Sequence, residues 1–132
     1  MREGKHVTIV AYARNVKFAL QAAETLAKEG IECEVINLRT IKPLDRDAII
    51  NSVKKTSRLV TVEDGFPQSG VGAEIGAIIQ ETDAFDYMDA PIQRVSSIDI
   101  PMPYAKNLED AVTPNADTII EAVRKALHGV KL

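Results

Sequence analysis

The chain has 132 residues, 45% of them apolar, and 16 Lys and Arg stand against 19 Asp and Glu for a net charge of -3. This is the length of one domain with a real core and the composition of a globular protein, not of a disordered or low-complexity one. Apolar runs of only a few residues fall far short of the ~20 a membrane helix needs, and the charged start Met1-Arg2-Glu3-Gly4 lacks a signal-peptide pattern, so no membrane partner or export route is expected.

Charge is unevenly spread. Residues 1–58 hold 11 Lys and Arg against 7 acids, residues 59–93 hold 7 acids and no Lys, Arg or His, and residues 94–132 balance at 5 and 5. An acidic middle is either solvated surface or a face that steers a basic partner. No basic stripe with interleaved aromatics is present, so nucleic acid is not expected as a partner. The single cysteine, Cys33, excludes an internal disulfide and a CxxC site, and it opens an apolar strand as a buried structural thiol would.

Val7 to Tyr12 (VTIVAY) reads as a central strand buried on both faces. Asn15 can cap a helix whose Val16, Ala19, Leu20, Ala23, Leu26 and Ala27 recur at helical spacing, and Gly30 supplies its stop. Residues 33–38 form the next strand. Asp45 then caps a helix to about Lys55, with Ala48, Ile49 and Val53 inward. Residues 59–63 are the third strand, Val71 to about Gln80 the third helix and residues 92–97 the fourth strand, followed by a proline-rich loop over 98–113. Pro114 or Asn115 starts the last helix, with Ile119, Ile120, Val123 and Leu127 as its stripe, Arg124, Lys125 and His128 near its negative end and Gly129 as its stop.

Alternating apolar strands and helices call for an α/β fold: a three-layer α/β/α sandwich on a mainly parallel sheet with right-handed crossovers. The loops beyond the carboxyl ends of the strands are the first place to look for a ligand.

A dinucleotide site needs GxGxxG directly after the first strand, and that turn is Ala13-Arg14-Asn15. The later Gly70-Val71-Gly72-Ala73-Glu74-Ile75-Gly76 has different spacing and carries an acid that repels phosphate. Its glycines read as aids to a tight turn and close packing. Of the two histidines, His6 precedes the first strand, at the opposite end of the sheet from the loops, and His128 lies in the last turn of the last helix, so neither readily meets Cys33, Ser69 or Ser96 in a nucleophilic triad. Glu63-Asp64 at a strand end suits acid–base work, cation binding or simple solvation. Phe66-Pro67 either folds onto the core or anchors a subunit contact. The segment Asp83-Ala84-Phe85-Asp86-Tyr87-Met88-Asp89-Ala90-Pro91 mixes apolar residues with an acidic rim, the make-up of an interface.

Four runs carry a resemblance: EVINLRTIKPLD (34–45), KKTSRLVTVEDGFPQSGVGAEI (54–75), FDYMDAP (85–91) and DIPMPYAKNLED (99–110). In order and spacing they resemble the carboxyl-terminal, transketolase-like domain of the pyruvate dehydrogenase beta subunit, and the likeness spans essentially the whole chain. The Ile100-Pro101-Met102-Pro103-Tyr104 run favours the pyruvate enzyme over its branched-chain counterpart.

The resemblance implies one domain over 1–132, with strands in the spatial order 33–38, 7–12, 59–63, 92–97. The family's antiparallel edge strand precedes the match, so residues 33–38 are expected to form an exposed sheet edge. The amino-terminal half of the subunit, which contacts thiamine diphosphate, is outside the match. No catalytic, cofactor-binding or metal residue is therefore expected here, thiamine diphosphate and Mg belong to the complete enzyme, and this domain alone is expected to be inactive. The implied role is subunit assembly with pyruvate dehydrogenase alpha and beta subunits, together with docking of the peripheral subunit-binding domain of dihydrolipoyl acetyltransferase. The implied contacts are Asp89 in Asp-Ala-Pro, Asp86 beside it, Phe66 at a subunit contact and the terminal carboxylate of Leu132. The implied location is the mitochondrial matrix, or the cytoplasm in bacterial relatives. The alternatives are another 2-oxoacid dehydrogenase or transketolase-group domain, or an autonomous ligand-binding α/β domain.

Overall fold

β1 (Val7–Ala11) is buried along its whole length and forms the axis of the molecule. The structure, a computed structural model, describes residues 2–12, 15–38, 46–63, 71–95 and 115–128. β1 pairs in parallel with β2 (Cys33–Asn37) on one side and with β3 (Leu59–Val62) on the other, and β3 pairs in parallel with β4 (Gln93–Val95). The spatial order is β2-β1-β3-β4, as the resemblance implies.

Side chains alternate across the sheet, so each strand feeds two cores. Val7, Ile9 and Ala11 of β1 join Cys33, Val35, Val60, Val62 and Val95 under α1 (Asn15–Ala27) and a carboxyl-terminal helix, Ala116–Ala126. Val10, Ile36 and Leu59 point the other way, to Ile49 and Val53 of α2 (Arg46–Thr56) and to Ile75 and Ile79 of α3 (Val71–Glu81). Each fully buried Ile or Leu contributes about 1.5–3 kcal/mol relative to exposure. This is the expected three-layer sandwich, and the carboxyl-terminal helix is α4.

Local chemistry sets the helix ends. In α4, the Asn115 side chain accepts from the Thr118 amide and the Thr118 hydroxyl accepts from the Asn115 amide, a reciprocal capping box. α1 ends as expected at Gly30, which adopts φ +83° while Ile31 N–H bonds the Leu26 carbonyl and Gly30 N–H the Ala27 carbonyl. Its start departs from expectation. Asn15 is the first helical residue, 1% exposed, and among the described residues neither of its side-chain polar atoms has a hydrogen-bond partner, so it does not cap. The caps expected at Asp45 and Gly129 lie outside the described residues.

The outer edge of β2 also differs from the bare edge expected. Arg2 forms an antiparallel bridge to Val35, with amide–carbonyl distances of 2.8 and 3.3 Å. Gly4 lies so close that a Cβ there would stand 2.4 Å from the Cys33 carbonyl carbon. The contact is one bridge and not a fifth strand, but it occupies the Val35 hydrogen bonds that an exposed edge would offer.

A polar tie inside the second core is invisible in the one-dimensional pattern. The buried Thr8 hydroxyl of β1 meets Ser52 Oγ at 2.6 Å and Thr56 Oγ1 at 2.7 Å, both on α2, and Thr56 in turn donates to the Arg58 carbonyl. Three hydroxyls satisfy one another where an unpaired one would cost about 1–3 kcal/mol.

Candidate docking surface

The acidic segment forms at the end of α3. Thr82 donates its hydroxyl to the Ile78 carbonyl at 2.9 Å and breaks the helix into a single 3-10 turn, Asp83–Tyr87, closed by Met88 N–H to the Phe85 carbonyl. Ala84, fully buried, pins this turn to the second core, leaving Phe85 58% and Tyr87 42% exposed. They are the exposed large apolar side chains of the described residues, and an exposed aromatic pair rimmed by charge suits a contact surface.

The acids beside them are partly spoken for. Asp83 Oδ2 accepts from Lys54 Nζ at 2.8 Å, and the same ammonium stands 5.6 Å from the centre of the Tyr87 ring. Asp83 holds the Lys54 ammonium above the usual lysine range. Asp89 Oδ2 accepts from Arg58 Nη2 at 3.3 Å, and its amide donates to the Ser57 carbonyl at 2.9 Å. The Asp89 side chain remains 58% exposed, whereas that of Arg58 is 12% exposed. Asp86 is exposed and forms no ion pair among the described residues.

The run of 35 residues without a basic side chain is thus not an unbroken negative face. Lys54 of α2 and Arg58 of the turn after it, distant in sequence, lie against Asp83 and Asp89. The signal that could have found them is the KKTSR run just before β3, because α2 and the 3-10 turn pack on the same side of the sheet. Phe66 and Leu132, the other implied contacts, lie outside the described residues, as do Asp64 and Pro67.

The surface lies at the amino ends of the strands, since Asp89 touches the Ser57-Arg58 turn that leads into β3, and Arg58 donates to the carbonyl of His6 just before β1. The carboxyl ends, where open α/β sheets hold ligands, contain Glu63 instead. Glu63 is 2% exposed, its Oε1 accepting from the Gly72 amide of α3 at 3.1 Å and lying 3.5 Å from Arg94 Nη2. The carboxylate joins β3 to the start of α3 and to β4, a structural use that favours the helix dipole. Among the described residues no cluster of His, Cys, Asp or Glu could hold a metal. Cys33 is buried, and burial pushes its thiol up to about 12 against the smaller pull of the Arg2 charge, so it is no nucleophile at neutral pH.

Architecture and strand order define the class, an open parallel α/β/α domain. Residues 1–119 match the family described as transketolase, C-terminal domain, and the chain belongs to that family. It is 58% identical over 127 residues to a pyruvate dehydrogenase E1 component subunit beta, mitochondrial, from Saccharomyces cerevisiae, and 59% identical over 127 residues to that of Mus musculus. In both cases the match covers 96% of this chain and 35% of the relative, so the chain spans about a third of the length of these relatives. Among solved structures it is similar to a split-gene transketolase in an inactive beta4 tetramer, with a TM-score of 0.80 and 30% identity over 96% of this chain and 39% of that one.

Proposed function

We propose that this domain serves assembly and docking in a pyruvate dehydrogenase that decarboxylates pyruvate and passes the acetyl group to lipoyl. In that setting it packs against alpha and beta subunits and receives the peripheral subunit-binding domain of dihydrolipoyl acetyltransferase, in the mitochondrial matrix. Thiamine diphosphate and Mg belong to the portion of the enzyme beyond this domain. The names of the curated relatives support the enzyme. The observation that carries the docking role is Asp89, an exposed carboxylate fixed at its backbone and one oxygen beside two exposed aromatic rings.

The free Asp89 oxygen accepts a charge-assisted hydrogen bond from a Lys or Arg of the partner, while Phe85 and Tyr87 supply the apolar contact. Asp86 adds exposed negative charge and raises the association rate. An autonomous ligand-binding domain is less well supported, because the buried Glu63 carboxylate commits one oxygen, Oε1, to the Gly72 amide and Arg94. The test is calorimetric titration of the complete assembled enzyme with the binding domain. Asp89→Ala should weaken binding by about 2 kcal/mol or more once the charge pair is desolvated. Unchanged affinity would overturn the docking role.

A further inference from the structure

We propose that Arg58 is a positioning residue for docking: it fixes one oxygen of Asp89 so that the other is presented to the partner's cation. The inference rests on the docking reading of Asp89 and adds to it a residue that does not itself meet the partner.

Arg58 is anchored before it reaches Asp89. Its Nη1 donates to the His6 carbonyl at 3.2 Å and to the Thr56 carbonyl at 3.4 Å, while Nη2 reaches Asp89 Oδ2 at 3.3 Å. A planar guanidinium held on two main-chain carbonyls has little freedom, so Nη2 occupies a set place. The neighbouring residue acts on the same target: Ser57, in the left-handed region at φ +66°, offers its carbonyl to the Asp89 amide at 2.9 Å. Two consecutive residues of the α2–β3 turn therefore hold the backbone and the side chain of Asp89. The aspartate is ordered before a partner arrives, and the entropy of immobilising it is not charged to binding.

Charge and geometry make opposite predictions for this arginine. As a cation beside Asp89, Arg58 repels a basic partner, so its removal should tighten binding if charge alone matters. As a positioning group, its removal should loosen binding, mainly through faster dissociation. The assembled enzyme carrying Arg58→Gln, Arg58→Lys, Asp89→Asn or the Arg58→Gln/Asp89→Asn pair is titrated with the peripheral subunit-binding domain at 0.15 M salt, about an 8 Å screening length, and again at higher salt. Arg58→Gln is expected to bind about three- to ten-fold more weakly. Arg58→Lys, a point charge without the fork, should also lose affinity, and it carries the test if the glutamine variant does not fold. The double variant should bind no worse than Asp89→Asn, because Arg58 acts only through Asp89. Equal or tighter binding by both Arg58 variants would overturn the inference and leave the docking role intact. So would a double variant that adds the full Arg58 loss to that of Asp89→Asn. Parent-like binding by Asp89→Asn would instead remove the docking role, and this inference with it.

Discussion

Gly72 shows how a single residue can be dictated by its neighbours. A Cβ there would stand 2.7 Å from Glu63 Oε1, 2.9 Å from Thr61 Oγ1 and 3.1 Å from Arg94 Nε. Glu63 is buried and cannot swing aside without losing the Gly72 amide and leaving Arg94. Gly72→Ala gains up to about 1 kcal/mol in helix propensity, but overpacking a tight site costs about 1–3 kcal/mol. The clash should win, and the urea midpoint should fall with the slope unchanged. Glycine here serves close packing, as its place at the start of α3 suggests, but the group it packs against is not written in the local sequence. Glu63 read as a candidate acid because its sequence neighbour is Asp64. Its actual neighbours are an amide nine residues on and an arginine on β4.

At the scale of elements, strands and amphipathic helices were legible because each buries a stripe whose spacing is written in order along the chain. The 3-10 turn was not, since five residues are too few to show a period, and it exists because Thr82 bonds back to Ile78 and Ala84 packs inward. The cap at Asn15 failed for a related reason: residue type favoured it, but Asn15 is already the first residue of the helix and is buried there. The junction of β2 with the amino-terminal lead-in carries its own pH dependence. Burial pushes the Glu34 carboxyl up, but hydrogen bonds from Lys55, Ser52 and the Gly4 amide outweigh it and hold the group below the usual glutamate value of 4.5. A carboxylate depressed in the fold stabilises it above the unfolded pKa, and that contribution is lost as pH falls through the folded one. Glu34→Gln should therefore lower the melting temperature at pH 7, and the gap from the parent should narrow as the pH falls below 4.5.

For the molecule as a whole, Cys33 reports on global opening, because it sits fully buried on β2 beneath α1. Iodoacetamide at pH 8 should leave the native thiol essentially unlabelled, and modification should appear only across the unfolding transition, as mass spectrometry would show. Labelling well below that transition would mean that β2 detaches on its own. Strand order was legible at this scale from the resemblance and the crossover rule. The pairing of Lys54 and Arg58 with Asp83 and Asp89 was not, because Arg58 and Asp89 are 31 positions apart and only the packing of α2 beside the 3-10 turn brings them together.

Arg58 also has a mechanical meaning. Its guanidinium bonds the lead-in to β1, the last residue of α2 and the segment after the 3-10 turn. A pull applied at Asp89 would not load that short segment alone. The force would pass through one side chain into the lead-in to the central strand and into the helix beside it.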